Sequence, residues 1–148
     1  MSNLAQQRRD IVAEIYSAFI SRDTERVAAV FDRHLADEIV LFEPESLPYG
    51  GKYERLETVK QFTAGLVDPQ SPVDAGKLAV NFILASDTEP HVIASVSFPW
   101  DPPGGRGAIP MGALELFTFD ELKVVEMRVF LWDTAACVAS LQAAAGAG

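Results

Sequence analysis

The apolar residues of this chain change their period partway along it. Up to Leu66 they recur mainly at helical spacing, and from Lys77 to Trp132 they recur as strands separated by turns. A chain that spends its helices first and its strands last lacks the alternation that builds a doubly wound parallel sheet. It has to lay the helices over one face of an antiparallel sheet, which is an α+β architecture. Its 148 residues suit one domain.

The spacing predicts a first helix over 7–21, with Val12, Ile15, Tyr16 and Phe19 at i, i+3, i+4 and i+7. Asp23 reads as the N-cap of a second helix whose buried face is Val27, Val30, Phe31 and Leu35. A short strand, 39–43, ends in Glu43-Pro44, and a proline and a Gly-Gly pair make 44–51 a loop. A third helix follows over 55–66, with Leu56, Val59, Phe62 and Leu66 inward. Asp68, Pro69, Ser71 and Pro72 mark a turn. Four strands come next, over 77–86, 92–98, 113–119 and 124–132, read as a meander. The Pro/Gly-rich stretch 99–112 reads as a long loop in which Trp100 and Met111 roof the mouth of a pocket. Asp133-Thr134 opens a last short helix, "TAACVASL", with Asp133 as its N-cap. One domain therefore spans 1–142, and 143–148 read as a flexible tail.

Glu43 is the anomaly. It shares a strand face with Ile39 and Leu41, where a core residue belongs. Glu115 shares a face with Ala113, Phe117 and Phe119, and Tyr16 sits in the apolar stripe of the first helix. A carboxyl group in such surroundings resists ionising. Two of them beside a tyrosine push their proton affinities apart, so that one serves as base while the other stays protonated as a donor. Each residue also has a plainer reading. Glu43 sits where a strand end meets water, Glu115 is within reach of a cross-strand pair with Arg128, and Tyr16 is a core tyrosine bonded to a backbone carbonyl.

Composition removes several classes. A net charge of −9, from 21 acids against 12 bases, opposes a nucleic-acid partner. The lone cysteine, Cys137, forms no internal disulfide and reads as a buried apolar residue. "MSNLAQQRRD" lacks the apolar core of a signal peptide and no apolar run reaches membrane-spanning length, so the expectation is a cytoplasmic protein with no membrane partner. No metal-ligand spacing, phosphate loop or nucleophile elbow is present. His34 and His91, next to Pro90, read as solvent-facing.

The order of elements resembles the NTF2-like superfamily, in its SnoaL-like and ketosteroid-isomerase-like branch. The resemblance covers nearly the whole chain. It is carried by the two N-terminal helices with the strand ending in Glu43-Pro44, by "PYGGKYERLETVKQF", and by "MRVFLWDTAACVASL". It implies a cone: a strongly curved antiparallel sheet packed by three helices. It also implies a helix-1 tyrosine, a carboxylate before a proline and a late-strand acid, which Tyr16, Glu43 and Glu115 match. Both acids are longer than the aspartates of that pattern by one methylene, enough to move a catalytic group by about 1 Å.

The implied chemistry is cofactor-independent proton transfer next to a carbonyl, as in an isomerase or polyketide cyclase. Glu43 would be the base, with Tyr16 and neutral Glu115 donating to the enolate oxygen. Phe62, Trp100, Phe117 and Met127 would line the pocket for a small hydrophobic carbonyl compound. The same fold also serves non-catalytic apolar-ligand carriers and interaction domains with a filled cone. Epoxide hydrolases of this fold use an arginine where Ala113 stands here, and its dehydratases use pocket histidines. The resemblance further implies a homodimer through the open sheet face, which Arg128, Phe130 and Trp132 would suit.

Overall fold

A computed structural model describes residues 3–146. The elements in chain order are α1 (Leu4–Ser21), α2 (Thr24–His34), β1 (Leu35–Glu43), β2 (Gly51–Glu54), α3 (Leu56–Leu66), a 3-10 turn (Ala75–Lys77), β3 (Ala79–Ala85), β4 (His91–Trp100), β5 (Ile109–Asp120), β6 (Lys123–Leu131) and α4 (Thr134–Gly146). The six strands form one curved, unclosed sheet in the order β2-β1-β6-β5-β4-β3. Register shifts fall in β1, in β3 and where β5 meets β6. Such bulges bend and twist a sheet, and they wrap this one around the helices.

Several expectations are corrected here. The sheet is mixed, because β1 runs parallel to β6 while the other neighbours are antiparallel. β1 starts at Leu35, which belongs to the strand and not to α2, and a short strand, β2, occupies 51–54. The loop expected over 99–112 spans only 101–108. Trp100 pairs with Ile109 and Pro99 with Pro110, so the β4–β5 ladder continues through both prolines. Facing prolines lack N–H groups, which suits a pair that exchanges no hydrogen bonds. Trp100 and Met111 are consequently buried strand residues and not a roof over a mouth. α4 runs past Leu141 to Gly146, so the expected tail is helical through 143–146, and residues 147 and 148 lie outside the described residues.

The core lies between the concave sheet face and the helices. Val12, Ile15 and Tyr16 of α1, Val30 and Phe31 of α2, and Val59 of α3 are fully buried against Ile39, Leu41, Val92, Phe117 and Val124. Fully burying one such side chain contributes about 1.5–3 kcal/mol. Asp23 caps α2 through its side chain, and Asp133 accepts from the N–H of Ala136 at the start of α4.

Arg8, which the sequence did not single out, is buried on α1. Its Nε donates to the carbonyl of Glu121 at 2.9 Å and its Nη1 to that of Glu89 at 3.3 Å, with the guanidinium 5.4 Å from the Phe119 ring centre. It thus ties α1 to both hairpin ends. Glu121 has φ of 51°, a conformation that favours glycine, and Arg8 holds its carbonyl in place. Arg8→Ala leaves two carbonyls without this donor and is expected to cost about 2–3 kcal/mol in urea unfolding, with m unchanged.

Candidate functional site

Inside the cone, a cavity of about 80 Å³ is walled by residues of α1, α3 and the sheet. Most of its wall is apolar, including Phe19, Leu66, Phe98, Val129 and Leu131. Its polar side chains are Glu43, Glu115, Tyr49 and Trp100. Glu43 arrives from the end of β1, where alternation turns Ile39, Leu41 and Glu43 to the same side. Glu115 arrives from the middle of β5, opposite Val129 of β6 and Ala94 of β4. Both acids line the cavity, and Glu43 also borders an open groove with Pro44 and Arg128.

The Tyr16 hydroxyl donates to Glu115 Oε1 at 2.7 Å, joining α1 to β5. Tyr16 itself is fully buried behind the cavity wall, edge-on to Phe117 and Phe19. Glu43 has no hydrogen bond or ion pair among the described residues. Burial pushes the Glu43 carboxyl up to about 8, and the negative charge of Glu115 adds to the push. Burial also raises Glu115, but the Tyr16 hydrogen bond favours its ionised form and works the other way. The phenol of Tyr16 is raised well above its usual value by burial and then by Glu115. Of the two acids, only Glu115 has a hydrogen bond that favours its ionised form, so Glu43 holds its proton the more firmly.

The geometry brings Tyr16, Glu43 and Glu115 into one group. Arg128 lies on the outer sheet face, 4.0 Å from the Phe42 ring centre and 3.6 Å from Glu126, and does not pair with Glu115. Of the residues expected around a pocket, Trp100 lines this cavity. Phe117 is buried against Tyr16, and Met127 is buried opposite Phe117 across the β5–β6 ladder. Phe62 packs outside the cavity between Tyr49 and Tyr53, with ring centres 5.8 and 4.3 Å away. His34 bonds to Glu14 at 2.8 Å, and exposed His91 to Thr118 at 3.2 Å. Buried Cys137 has its thiol pushed up to about 11, by burial and then by Asp133. Among the described residues no group of three or more metal-ligating side chains is gathered, and no helix is long and apolar enough to cross a membrane.

Two polar groups of the wall escaped sequence reasoning. Tyr49 sits in the 44–51 loop just before Gly50-Gly51, and an aromatic residue in a glycine-rich loop was the available signal. The indole N–H of Trp100 is the one buried side-chain polar atom without a partner among the described residues. Trp100→Phe removes an orphaned donor while keeping the ring. It is expected to change thermal stability by less than about 1 kcal/mol, against about 3–5 kcal/mol for Trp100→Ala.

No protein-family model matches the chain, and no curated protein matches it by sequence. Solved structures do match it in shape. A SnoaL-like protein from Jannaschia sp. CCS1, proposed to be a polyketide cyclase, superposes with a TM-score of 0.77 at 15% identity, over 97% of this chain and 96% of that one. Bal32a, from a soil-derived mobile gene cassette, gives 0.75 at 20% identity, over 93% and 98%. An NTF2-like protein from Burkholderia pseudomallei K96243 gives 0.73 at 20% identity, over 97% and 100%. At these identities the likeness is one of fold. The chain is thus an α+β cone with two carboxyl groups facing one internal cavity. The NTF2-like and SnoaL-like structures above share this cone, the fold that the sequence resemblance implied.

The Glu43 shift makes stability depend on pH with a definite sign. An unfolded glutamate ionises near 4.5, whereas folded Glu43 keeps its proton up to about 8. The stabilisation is complete below the lower value and is lost as pH rises toward the higher one, at about 1.4 kcal/mol per unit. Glu43→Gln should flatten this dependence. Thermal melts of the variant are expected to overtake those of the parent between pH 5 and pH 8.

Proposed function

We propose that this chain is a cytoplasmic, cofactor-independent enzyme that moves a proton next to the carbonyl of a small hydrophobic substrate, as an isomerase or a cyclase does. The observation that carries the reading is the asymmetry of the two acids. They share one apolar cavity, yet only Glu115 has a hydrogen-bonding partner. A polyketide-cyclase assignment for one protein of the same fold is consistent with it by analogy.

The roles follow from the partner. Tyr16 stabilises the Glu115 carboxylate, so Glu115 is the base that takes the proton from the carbon beside the carbonyl. Its Oε2 is left for that task while Oε1 accepts from Tyr16. Glu43 keeps its proton and donates to the substrate oxygen as negative charge develops there. This exchanges the roles that the resemblance implied. Tyr16 becomes a positioning residue, because its hydroxyl is engaged with Glu115 and its ring stands behind the wall. Trp100 walls the substrate site, Phe117 and Met127 support it from behind, and Phe62 braces Tyr49 from outside. The largely apolar wall also favours a second reading, a carrier that binds a hydrophobic ligand without chemistry.

The two assignments of the base predict opposite pH profiles. With Glu43 as donor, kcat/KM for an enolisable ketone should fall as pH rises through about 8, and it should also fall on the acid side as Glu115 takes up a proton. Glu43→Gln retains a donor and should keep most of the activity. Glu115→Gln should lose on the order of a hundred- to ten-thousandfold. A rate that climbs through pH 8 and vanishes in Glu43→Gln would restore Glu43 as the base. Proton exchange into no ketone at any pH would leave the carrier.

We also propose a homodimer through the outer sheet face. Phe82 and Leu84 of β3, Leu114 of β5, Phe130 of β6 and Trp132 just beyond it expose 45, 59, 48, 52 and 86% of their surface there. An apolar stripe of this extent on one face marks an association surface. Sedimentation equilibrium should show a dimer that Phe130→Glu converts to monomer with its melting temperature nearly unchanged.

A further inference from the structure

We propose that Tyr49 is a catalytic residue of this site, the phenol that donates a hydrogen bond to the substrate oxygen beside Glu43. The inference rests on the proton-transfer reading above and adds a second donor to the oxygen that Glu43 is proposed to hold.

Three observations lead to it. Tyr49 is part of the cavity wall and Tyr16 is not. The Tyr16 hydroxyl is already committed to Glu115 at 2.7 Å, whereas the Tyr49 hydroxyl has no hydrogen-bond partner among the described residues. Tyr49 is half-buried, and its phenol is raised by burial and then by the nearby Glu43 and Cys137. A hydroxyl with no partner in the protein is free to donate when an acceptor arrives.

The loop is built to hold this side chain still. The N–H of Leu47 donates to the carbonyl of Pro44 at 3.1 Å, and that of Gly50 to Leu47 at 2.9 Å. Leu47 is buried and anchors the loop in the core. A Cβ at Gly50 would stand 1.9 Å from the Pro44 carbonyl oxygen, so the close return of the chain requires glycine. Gly51, at φ 115°, then turns the chain into β2. From outside, Phe62 packs on the Tyr49 ring, and Tyr53 donates its hydroxyl to the Tyr49 carbonyl. Backbone and ring are fixed, and the hydroxyl alone is left without a bond. This is the arrangement that preorganised donation to a developing oxyanion requires.

The chemistry also narrows the ligand. Two neutral donors, the Glu43 carboxyl and the Tyr49 phenol, line the same largely apolar cavity. They favour a compound with one oxygen that becomes negative, an enolate or a phenolate, over an alcohol or a neutral ether.

Ring-substituted phenols of graded acidity serve as the probe, with binding followed by isothermal titration at pH 7. In the parent protein, affinity should depend on phenol acidity. In Tyr49→Phe, affinity should fall at least tenfold and the dependence should flatten, while the part due to burial of the ring is kept. If Tyr49→Phe binds within twofold of the parent while Glu43→Ala weakens binding, the Tyr49 assignment is overturned and the acid pair stands. If the parent binds no phenol, or binds all equally in every variant, the proton-transfer reading falls with it. Should Tyr49→Phe fail to fold, NMR of the parent decides. Contacts from a bound phenol to the Tyr49 ring are expected, and their absence in favour of Tyr16 overturns the proposal.

Discussion

The hydrogen bond from Tyr16 to Glu115 is the interaction on which the rest of the cone depends. It is made inside the cone, between a helix and a strand, by residues 99 positions apart in sequence. A carboxylate there without a donor would be forced to keep its proton or to draw in water. With the donor, Glu115 can ionise inside an apolar shell, and α1 is fixed at one rotation over the sheet. That rotation sets the rest of the helix: Val12 and Ile15 enter the core, and Arg8, two turns earlier, reaches the carbonyls of Glu89 and Glu121.

Glu43 shows what the same fold does to an acid that receives no such partner. It lies in the same cavity and feels the charge of Glu115, yet it is left to keep its proton. The difference between the two acids is therefore one of local partners and not of depth alone. A hydrogen bond to the ionised form lowers a proton affinity, whereas burial beside a like charge raises it. Two chemically identical side chains come to differ in proton affinity because one meets the Tyr16 hydroxyl of α1 and the other sits at a strand end by the 44–51 loop. The added methylene of glutamate relative to aspartate matters less in this arrangement, because the hydroxyl that meets Glu115 defines where its oxygen stands.

Much of the fold was legible because it depends on local periodicity. Helical spacing gave α1, α2 and α3, and alternating apolar runs separated by turns gave the β3–β6 meander. The parts that were not legible depend on pairing at a distance. Val40 and Phe42 break the alternation of β1 with a continuous apolar run, a pattern suited to a parallel neighbour, but nothing local says that the neighbour is β6. Pro99 and Pro110 read as breakers because each lacks a donor, and only their mutual register removes the need for one. In the site, Tyr16, Glu43 and Glu115 stood out as polar residues on apolar faces. Tyr49 did not, because a loop has no face until Gly50 closes it against Pro44.

A stability argument bears on whether the cavity is more than a place to store a ligand. Glu43 is half-buried, has no hydrogen bond or ion pair among the described residues and feels the charge of another acid, and the unfolded chain would rather ionise it at neutral pH. A leucine or a methionine at that strand end would fill the same wall with no desolvation cost and no repulsion, and would hold an apolar ligand at least as well. The Trp100 indole N–H in the same cavity wall carries a cost of its own, since it is buried without a partner among the described residues. Groups that weaken the empty protein and gain partners only from a visitor with an acceptor oxygen are characteristic of a site where stability is given up for chemistry. On that ground the unpaired carboxyl at the end of β1 weighs toward proton transfer and against a passive carrier.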